Sequence, residues 1–181
     1  VLLSGTAGTG KSSVAAHLAD ATCRRGERCI YFSFEESPDQ ILRNMRNIKL
    51  DLRKYVKNGL LQIHSSRPSA HGVEVHLVRM HKLIEEFKPS VVVMDPLSNM
   101  RGAGTNEESQ AMLVRLIDYM RRKLITAFLV SLTTAGRSLE ATEDEVSSIV
   151  DTWLLVRDIE LDGERNRAMY VLKSRGIAHS N

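Results

Sequence analysis

The chain has 181 residues, with 25 Lys and Arg against 22 Asp and Glu and a formal net charge of +3. This length predicts a single domain, and a hydrophobic content of 43% is enough to form its core. No apolar run approaches the roughly 18 residues that a membrane-spanning helix needs. The small positive excess does not indicate nucleic-acid binding, because that function needs clustered basic charge.

Val1 lies in an apolar run that leads directly into a glycine-rich loop, so the chain begins inside a predicted strand. We therefore expect residues 1–181 to be one domain of a longer chain, truncated at both ends. Cys23 and Cys29 lack the spacing of a disulfide framework, which favours a reducing, cytoplasmic setting. Three histidines recur every five residues, which scatters them around a helix and does not indicate a metal site: His71, His76 and His81.

Apolar runs alternate with helical patterns along the whole chain, which is typical of an α/β fold with a mostly parallel sheet. In the first half, short apolar runs predict strands, whereas apolar residues spaced three or four apart and capping residues predict helices. In chain order these elements are a strand over residues 1–4, a glycine-rich loop over 5–10, a helix to about residue 25, a strand over 29–34, a helix over 38–48, a strand over 60–64 and a helix over 73–87.

The second half begins with SVVVMD at residues 90–95, which predicts a central strand because it is almost entirely apolar and β-branched. The elements that follow are a mobile loop over residues 101–105, a helix over 107–123, a strand over 126–132 and an exposed loop over 135–145. Asp162-Gly163 is then a turn signal between strand-like segments 149–160 and 168–173. The pattern therefore predicts an α/β domain that ends in a β-hairpin.

A phosphate-binding motif follows the first strand. Residues 5–12 read GTAGTGKS and match GxxxxGK[ST], in which the glycines let backbone N–H groups surround phosphate oxygens. Lys11 is expected to reach the β- and γ-phosphates, and the Ser12 hydroxyl is expected to bind Mg²⁺. The candidate nucleotide-binding residues of this phosphate loop are Gly5, Thr6, Ala7, Gly8, Thr9, Gly10, Lys11, Ser12 and Ser13.

Acidic residues follow two other predicted strands. Asp95 ends the central strand, at the sheet edge where the phosphate loop also lies, and can hold the Mg²⁺ shell through water. Glu35 and Glu36 directly follow the second strand. Adjacent carboxylates beside a nucleotide can polarise a water or hydroxyl group for in-line attack.

Two cations lie at the end of the last predicted hairpin, in the segment Lys173-Ser174-Arg175-Gly176. Residues i and i+2 of a strand point to one face, so we expect Lys173 and Arg175 to face whatever docks there. Phosphoryl transfer needs positive charge against the γ-phosphate, and these side chains are candidates to supply it to a neighbouring subunit's nucleotide. The alternative is an edge strand whose charges protect against aggregation.

Taken together and in order, these motifs resemble the KaiC family of RecA-like P-loop ATPases, the circadian-clock-type proteins. The similarity covers essentially the whole chain, through GTAGTGKSS at 5–13, FEES at 34–37, FKPSVVVMDPLS at 87–98 and GERNRAMYVLKSRGIAH at 163–179. It is strongest to the family's second, C-terminal repeat. The resemblance implies a hexameric ring with ATP between subunits, Mg²⁺-dependent hydrolysis and, in the second repeat, serine/threonine autophosphorylation in signalling or circadian-type regulation.

The resemblance also implies roles for individual residues. Glu35 and Glu36 match the family's catalytic glutamate pair, with Glu35 as the preferred general base. Lys173 and Arg175 match cations that reach the neighbour's γ-phosphate. Two further matches are an interface arginine and a histidine near the nucleotide, Arg167 and His179.

The family's phosphorylated pair of hydroxyls matches Ser147-Ser148, and an accessory phosphorylation site matches Thr142. This chain departs from the family's pattern in having Ser-Ser rather than Ser-Thr, and Ala178 where the family's second repeat has Trp. Residues 143–145 (EDE) add negative charge just before the pair, which repels an incoming phosphoryl group. Autokinase activity therefore follows less directly from the sequence than ATP binding does.

Two other functions stay open. A DNA-dependent ATPase of the RadA or replicative-helicase type shares the phosphate loop and Asp95, but its DNA-binding loops need basic residues. Here the candidate loops, 101–105 and 135–145, offer one arginine each, and the second also has four acidic residues. A nucleotide-sensing interaction module with negligible turnover is the second alternative.

Overall fold

The computed structural model describes residues 1–67, 72–133, 148–161 and 163–176. The elements of the first half are β1 (Leu2–Gly5), α1 (Lys11–Arg24), β2 (Cys29–Ser33), α2 (Pro38–Asn47), α3 (Arg53–Lys57), β3 (Leu61–Ser65) and α4 (Val73–Phe87). The second half has β4 (Val91–Asp95), a 3₁₀-helix (Leu97–Ala103), α5 (Asn106–Arg122), β5 (Thr126–Leu132), β6 (Thr152–Leu161) and β7 (Glu164–Ser174). Among the helices so described, none has the length and hydropathy that crossing a membrane requires.

The seven strands form one sheet in the order β3-β2-β4-β5-β1-β6-β7. Every neighbouring pair from β3 to β6 is parallel, and only the last pair, β6 with β7, is antiparallel. The predicted α/β class and the C-terminal hairpin are therefore confirmed. Because β1 to β6 run in one direction, their carboxyl ends share one edge of the sheet, called here the carboxyl edge, opposite the amino edge.

Helices cover both faces of the sheet, which explains why the central strands are apolar at successive positions. On one face α4 and α5 pack against residues such as Ile30 and Val92. On the other face, α1, α2 and α3 pack against the alternate residues of the same strands, such as Tyr31 and Val91. Strand β4 is buried at all five positions, as predicted for a central strand.

Capping residues determine where the helices beside the site begin. The Ser37 side chain accepts from the Gln40 N–H, the Gln40 side chain accepts from the Ser37 N–H, and Pro38 occupies the first helical position of α2. The prediction of a helix start at Ser37-Pro38 is confirmed. Thr105 and Glu108 form the same reciprocal cap at the start of α5.

Three features differ from the predicted elements. Residues 101–105 are not simply a loop, because a 3₁₀-helix runs from Leu97 to Ala103; Leu97 and Met100, one 3₁₀ turn apart, are buried in the core. The short helix α3 was not predicted, and it buries Tyr55. Strand β7 begins at residue 164 rather than 168, because its exposed polar residues pair with β6 through the backbone.

Candidate functional site

A cavity of about 400 Å³ opens at the carboxyl edge, between the phosphate loop, the ends of β2 and β4, and α2. Parallel topology places these segments together, since each follows or precedes the carboxyl end of a strand. The predicted site residues that line the cavity are Ala7, Gly8, Gly10, Lys11, Ser12, Ser13, Glu35, Glu36 and Asp95.

The phosphate loop depends on glycine at two positions for different reasons. Gly10 has φ 86°, in the left-handed region, and as the N-cap of α1 it makes no side-chain cap hydrogen bond, an arrangement suited to binding an anion. Gly5 lies against β6, where an added Cβ would be 2.2 Å from the Val156 carbonyl oxygen. A side chain at Gly5 would therefore push the loop away from the sheet.

Lys11 is held inside the phosphate loop by atoms of the loop itself. Its side chain is buried, and its Nζ donates to the Thr6 carbonyl oxygen at 2.6 Å and to Thr9 Oγ1 at 3.4 Å. Burial lowers the pKa of Lys11, and the negative charge of Asp95 opposes that shift. The cation is thus positioned by the backbone that surrounds it.

Asp95 ends β4 and is 7% exposed. Its Oδ2 accepts a hydrogen bond from the hydroxyl of Tyr31, a residue of β2 that pairs with Val93 two positions before Asp95. Burial, together with the charge of Asp95, raises the pKa of Tyr31 well above its usual value, so this hydroxyl keeps its proton. Sequence reasoning missed Tyr31; the available signal was a phenol inside an apolar strand, where a hydroxyl needs a partner.

The two glutamates after β2 have different surroundings. Glu36 Oε1 accepts from Asn44 Nδ2 of α2 at 2.6 Å, and its backbone exchanges hydrogen bonds with the Ser33 side chain. Glu35 is exposed and lines the cavity. Sequence reasoning also missed Asn44, which binds the Glu36 carboxylate, and Ser33, which binds the Glu36 backbone.

Arg167 lies at the carboxyl edge, against the phosphate loop of its own chain. Its Nη2 donates to the Gly8 carbonyl oxygen at 3.3 Å, and its Nε is 3.6 Å from Asp158 Oδ1. The register that pairs Arg167 with Asp158 brings this part of the hairpin to the loop. An arginine expected at a subunit interface is thus also in contact with the chain's own phosphate loop.

Lys173 and Arg175 lie at the other end of the hairpin, at the amino edge. Ser174 pairs with Thr152, the first residue of β6, and both cations donate to the Ser148 carbonyl oxygen, at 3.3 Å and 3.1 Å. Arg175 follows the end of β7 rather than lying within it. The structure therefore brings the two cations together, but at the edge opposite the chain's own cavity.

Three predicted residues lie outside the described part of the chain: Thr142, Ser147 and His179.

Comparison with known proteins identifies the family. A family model described as "ATPase: KaiC" matches residues 1–181. The chain belongs to the KaiC ATPase family. It is 48% identical to the circadian clock protein KaiC2 of Synechocystis sp. over 183 residues, which cover 100% of this chain and 32% of that protein.

Two further KaiC relatives are more distant. The chain is 35% identical to the circadian clock oscillator protein KaiC of Picosynechococcus sp., over 99% of the chain and 35% of that protein. It is 34% identical to KaiC3 of Synechocystis sp., over 99% of the chain and 36% of that protein. The chain thus spans about a third of the length of the curated relatives it matches, and it is a KaiC-like ATPase domain with a RecA-like fold.

Proposed function

We propose that this KaiC-type domain, as part of a longer cytoplasmic chain, binds ATP and Mg²⁺ between subunits of a homo-oligomeric ring, a hexamer, and hydrolyses the ATP. The observation that carries the proposal is the separation of the charged groups. Lys11, Glu35 and Asp95 share one cavity, whereas Lys173 and Arg175 lie at the opposite edge of the sheet. A second subunit is needed to bring both sets to one nucleotide.

In the hydrolysis that we propose, Glu35 accepts a proton from the attacking water. The water oxygen forms a bond to the γ-phosphorus, and the bond from that phosphorus to the β–γ bridging oxygen breaks, releasing ADP. Lys11 of one subunit, together with Lys173 and Arg175 of the next, neutralises the charge that builds on the phosphoryl oxygens. Arg167 contacts the loop from its own subunit.

The donor set of the cavity fits Mg²⁺ bound together with a nucleotide. The Ser12 hydroxyl and the Asp95 carboxylate are hard oxygen ligands on the same cavity. No cluster of three or more acidic, His or Cys ligands exists among the described residues. This agrees with Mg²⁺ chemistry, in which one or two protein groups act with substrate phosphates, and the ion would supply charge neutralisation there.

We further propose that the domain phosphorylates itself at Ser147 or Ser148. The backbone of Ser148 is held by Lys173 and Arg175, the two cations assigned to the neighbour's γ-phosphate. A serine hydroxyl would replace water as the nucleophile, giving its proton to Glu35 of the neighbour and forming the phosphoester bond as ADP leaves. Thr142 is the accessory acceptor proposed from the family pattern.

A subunit-mixing experiment tests the shared site. Lys11→Ala and Arg175→Ala subunits are each expected to have very low ATPase turnover. Mixed in equal amounts before assembly, they should recover about a quarter of the wild-type turnover, since that share of interfaces combines an intact loop with an intact cation.

The matched control mixes Lys11→Ala with Glu35→Gln. Both residues belong to one subunit's cavity, so no interface in that mixture has a complete site and turnover should stay low. Recovery in the control, or none in the Lys11 and Arg175 mixture, contradicts a site that two subunits share.

Mass spectrometry after incubation with Mg-ATP tests the kinase activity separately. Phosphate on Ser147 or Ser148 of the wild type, absent in Glu35→Gln, is the expected result. Continued ATP turnover without any phosphorylated serine would leave an ATPase alone.

One observation favours a second candidate, binding of nucleic acid. Residues 43–57 carry six exposed cations against a single acidic residue, whereas the whole chain has a net charge of only +3. These cations lie on α2, α3 and their connection: Arg43, Arg46, Lys49, Arg53, Lys54 and Lys57. Salt-dependent binding of labelled DNA would support this second candidate. The binding should be lost when Arg43, Arg46 and Lys54 are changed to Ser. It should be retained after the same change of three exposed cations elsewhere, Lys82, Arg115 and Lys123.

A further inference from the structure

The hydrogen bond between Tyr31 and Asp95 lies wholly inside the domain. Tyr31 is 1% exposed and Asp95 is 7% exposed, and the phenol ring packs in the apolar cluster under α1. Neighbouring parallel strands β2 and β4 supply the two partners. The contact is therefore fixed by the sheet and not by a flexible loop.

A carboxylate at this depth needs a partner for each oxygen that water does not reach. Tyr31 satisfies Oδ2, whereas Oδ1 accepts from no described residue and is not fully buried, so water reaches it. Because both oxygens lie in one plane around the same carbon, holding Oδ2 also fixes the orientation of Oδ1. Asp95 lines the cavity together with Ser12.

We propose that Tyr31 is a positioning residue that holds Asp95 through Oδ2 and leaves Oδ1 for the water shell of a divalent cation bound with ATP. The inference rests on the proposed function, because it needs a nucleotide and its cation in this cavity. Groups that orient metal-binding side chains contribute measurably to metal affinity. A phenol is suited to this task, since its hydroxyl sits at the end of a rigid ring that the core holds in place.

Tyr31→Phe removes the hydroxyl and keeps the ring that packs in the core. The measurement is binding of a fluorescent, slowly hydrolysed ATP analogue to the full chain, first in EDTA and then across a Mg²⁺ titration. In EDTA the affinity should stay within about 2-fold of wild type, and the half-saturating Mg²⁺ concentration should rise about 10-fold.

The matched control is Tyr55→Phe. Tyr55 is also buried, and its hydroxyl also donates to a carboxylate, Asp20 Oδ1 at 3.1 Å, in the same apolar cluster but away from the cavity. A general loss of packing or stability affects both variants, whereas only Tyr31→Phe should change the Mg²⁺ dependence.

A double-mutant comparison checks that Tyr31 acts through Asp95. In an Asp95→Asn background, Tyr31→Phe should cause no further shift in half-saturating Mg²⁺. An unchanged Mg²⁺ dependence in Tyr31→Phe, or an equal shift in Tyr55→Phe, overturns the inference. Failure of the wild-type chain to bind the analogue at any Mg²⁺ concentration overturns the proposed function instead.

Discussion

The two edges of the sheet hold their charged groups in different ways. At the carboxyl edge, Lys11 and Asp95 are buried; Lys11 donates a hydrogen bond to the chain's own loop, and Asp95 accepts one from Tyr31. At the amino edge, Arg175 and Asp151 form an ion pair at 3.9 Å, with side chains 57% and 61% exposed. The charged groups of one edge are buried and held by internal hydrogen bonds, and those of the other are open to water.

In the shared site that we propose, this difference indicates which half must be rigid. A phosphate cradle works by having its donors in place before the ligand binds, because reorganising them would cost binding energy. The cations that we propose act on a neighbour's nucleotide must instead adjust to how two subunits dock. Exposed ion pairs suit that task, since each contributes little to stability and exchanges readily for another partner.

The largest expected effect is at the organised edge. Lys11→Ala should weaken nucleotide binding by about 100-fold or more, because it removes the one buried cation of the phosphate loop. Titration with a fluorescent nucleotide measures this, with Lys82→Ala, an exposed lysine of α4, as the control. Wild-type affinity in Lys11→Ala would break the assignment of the whole cavity.

Glu35→Gln separates chemistry from binding at the same edge. Turnover should fall about 100-fold, because the amide cannot accept the proton of the nucleophile, while nucleotide affinity stays close to wild type. Glu36→Gln should have the smaller effect, because Asn44 can still donate to the amide oxygen. Steady-state ATPase assays and nucleotide titrations of both variants decide the order, and a larger loss in Glu36→Gln would reverse the two roles.

Substitutions near the two ends of β7 should change nucleotide affinity less than Lys11→Ala does, and they should differ from each other. Arg167→Gln should weaken nucleotide binding by the unassembled chain about 10-fold, since Arg167 contacts the chain's own phosphate loop. Arg175→Gln should leave that affinity unchanged. Nucleotide affinity measured at protein concentrations below ring assembly distinguishes the two variants. Equal losses of affinity would mean that both edges contribute to nucleotide binding by a single chain.

The smallest effect is expected at the amino edge. Asp151→Asn should lower the free energy of unfolding by no more than about 1 kcal/mol, because its ion pairs with Arg121 and Arg175 are exposed. Asp20→Asn should lower the free energy of unfolding by more, because the Asp20 carboxylate is 3% exposed and accepts a hydrogen bond from Tyr55. Urea denaturation of both variants measures this, and equal losses would show that the amino edge is as firmly held as the core.

Much of the fold was predictable because local pattern and parallel topology act together. The phosphate loop lies between a predicted strand and helix, and Asp95 ends a predicted central strand. Once the sheet is parallel, both must lie at one edge. The family resemblance is confirmed by the match over residues 1–181. The roles of the individual site residues stay predictions.

The contacts that could not be predicted from the sequence depend on which strands are neighbours in the sheet. The Tyr31 hydroxyl donates to Asp95 because β2 lies beside β4 in the sheet. The Asn44 amide donates to Glu36 because α2 folds back over the end of β2. The location of Arg167 depends on β6 lying beside β1 and on the register of β7. None of these pairings is encoded in a window of a few residues.

Strand β7 joins the two edges with a fixed length of backbone. Arg167 and Lys173 are six residues apart, and the strand between them contains one bulge, opposite Trp153 and Leu154, so they lie at most about 20 Å from each other. The residues between them can change with little consequence for that distance, whereas insertion of a single residue reverses the face on which every later side chain lies. This segment should therefore accept many substitutions in evolution and very few changes in length.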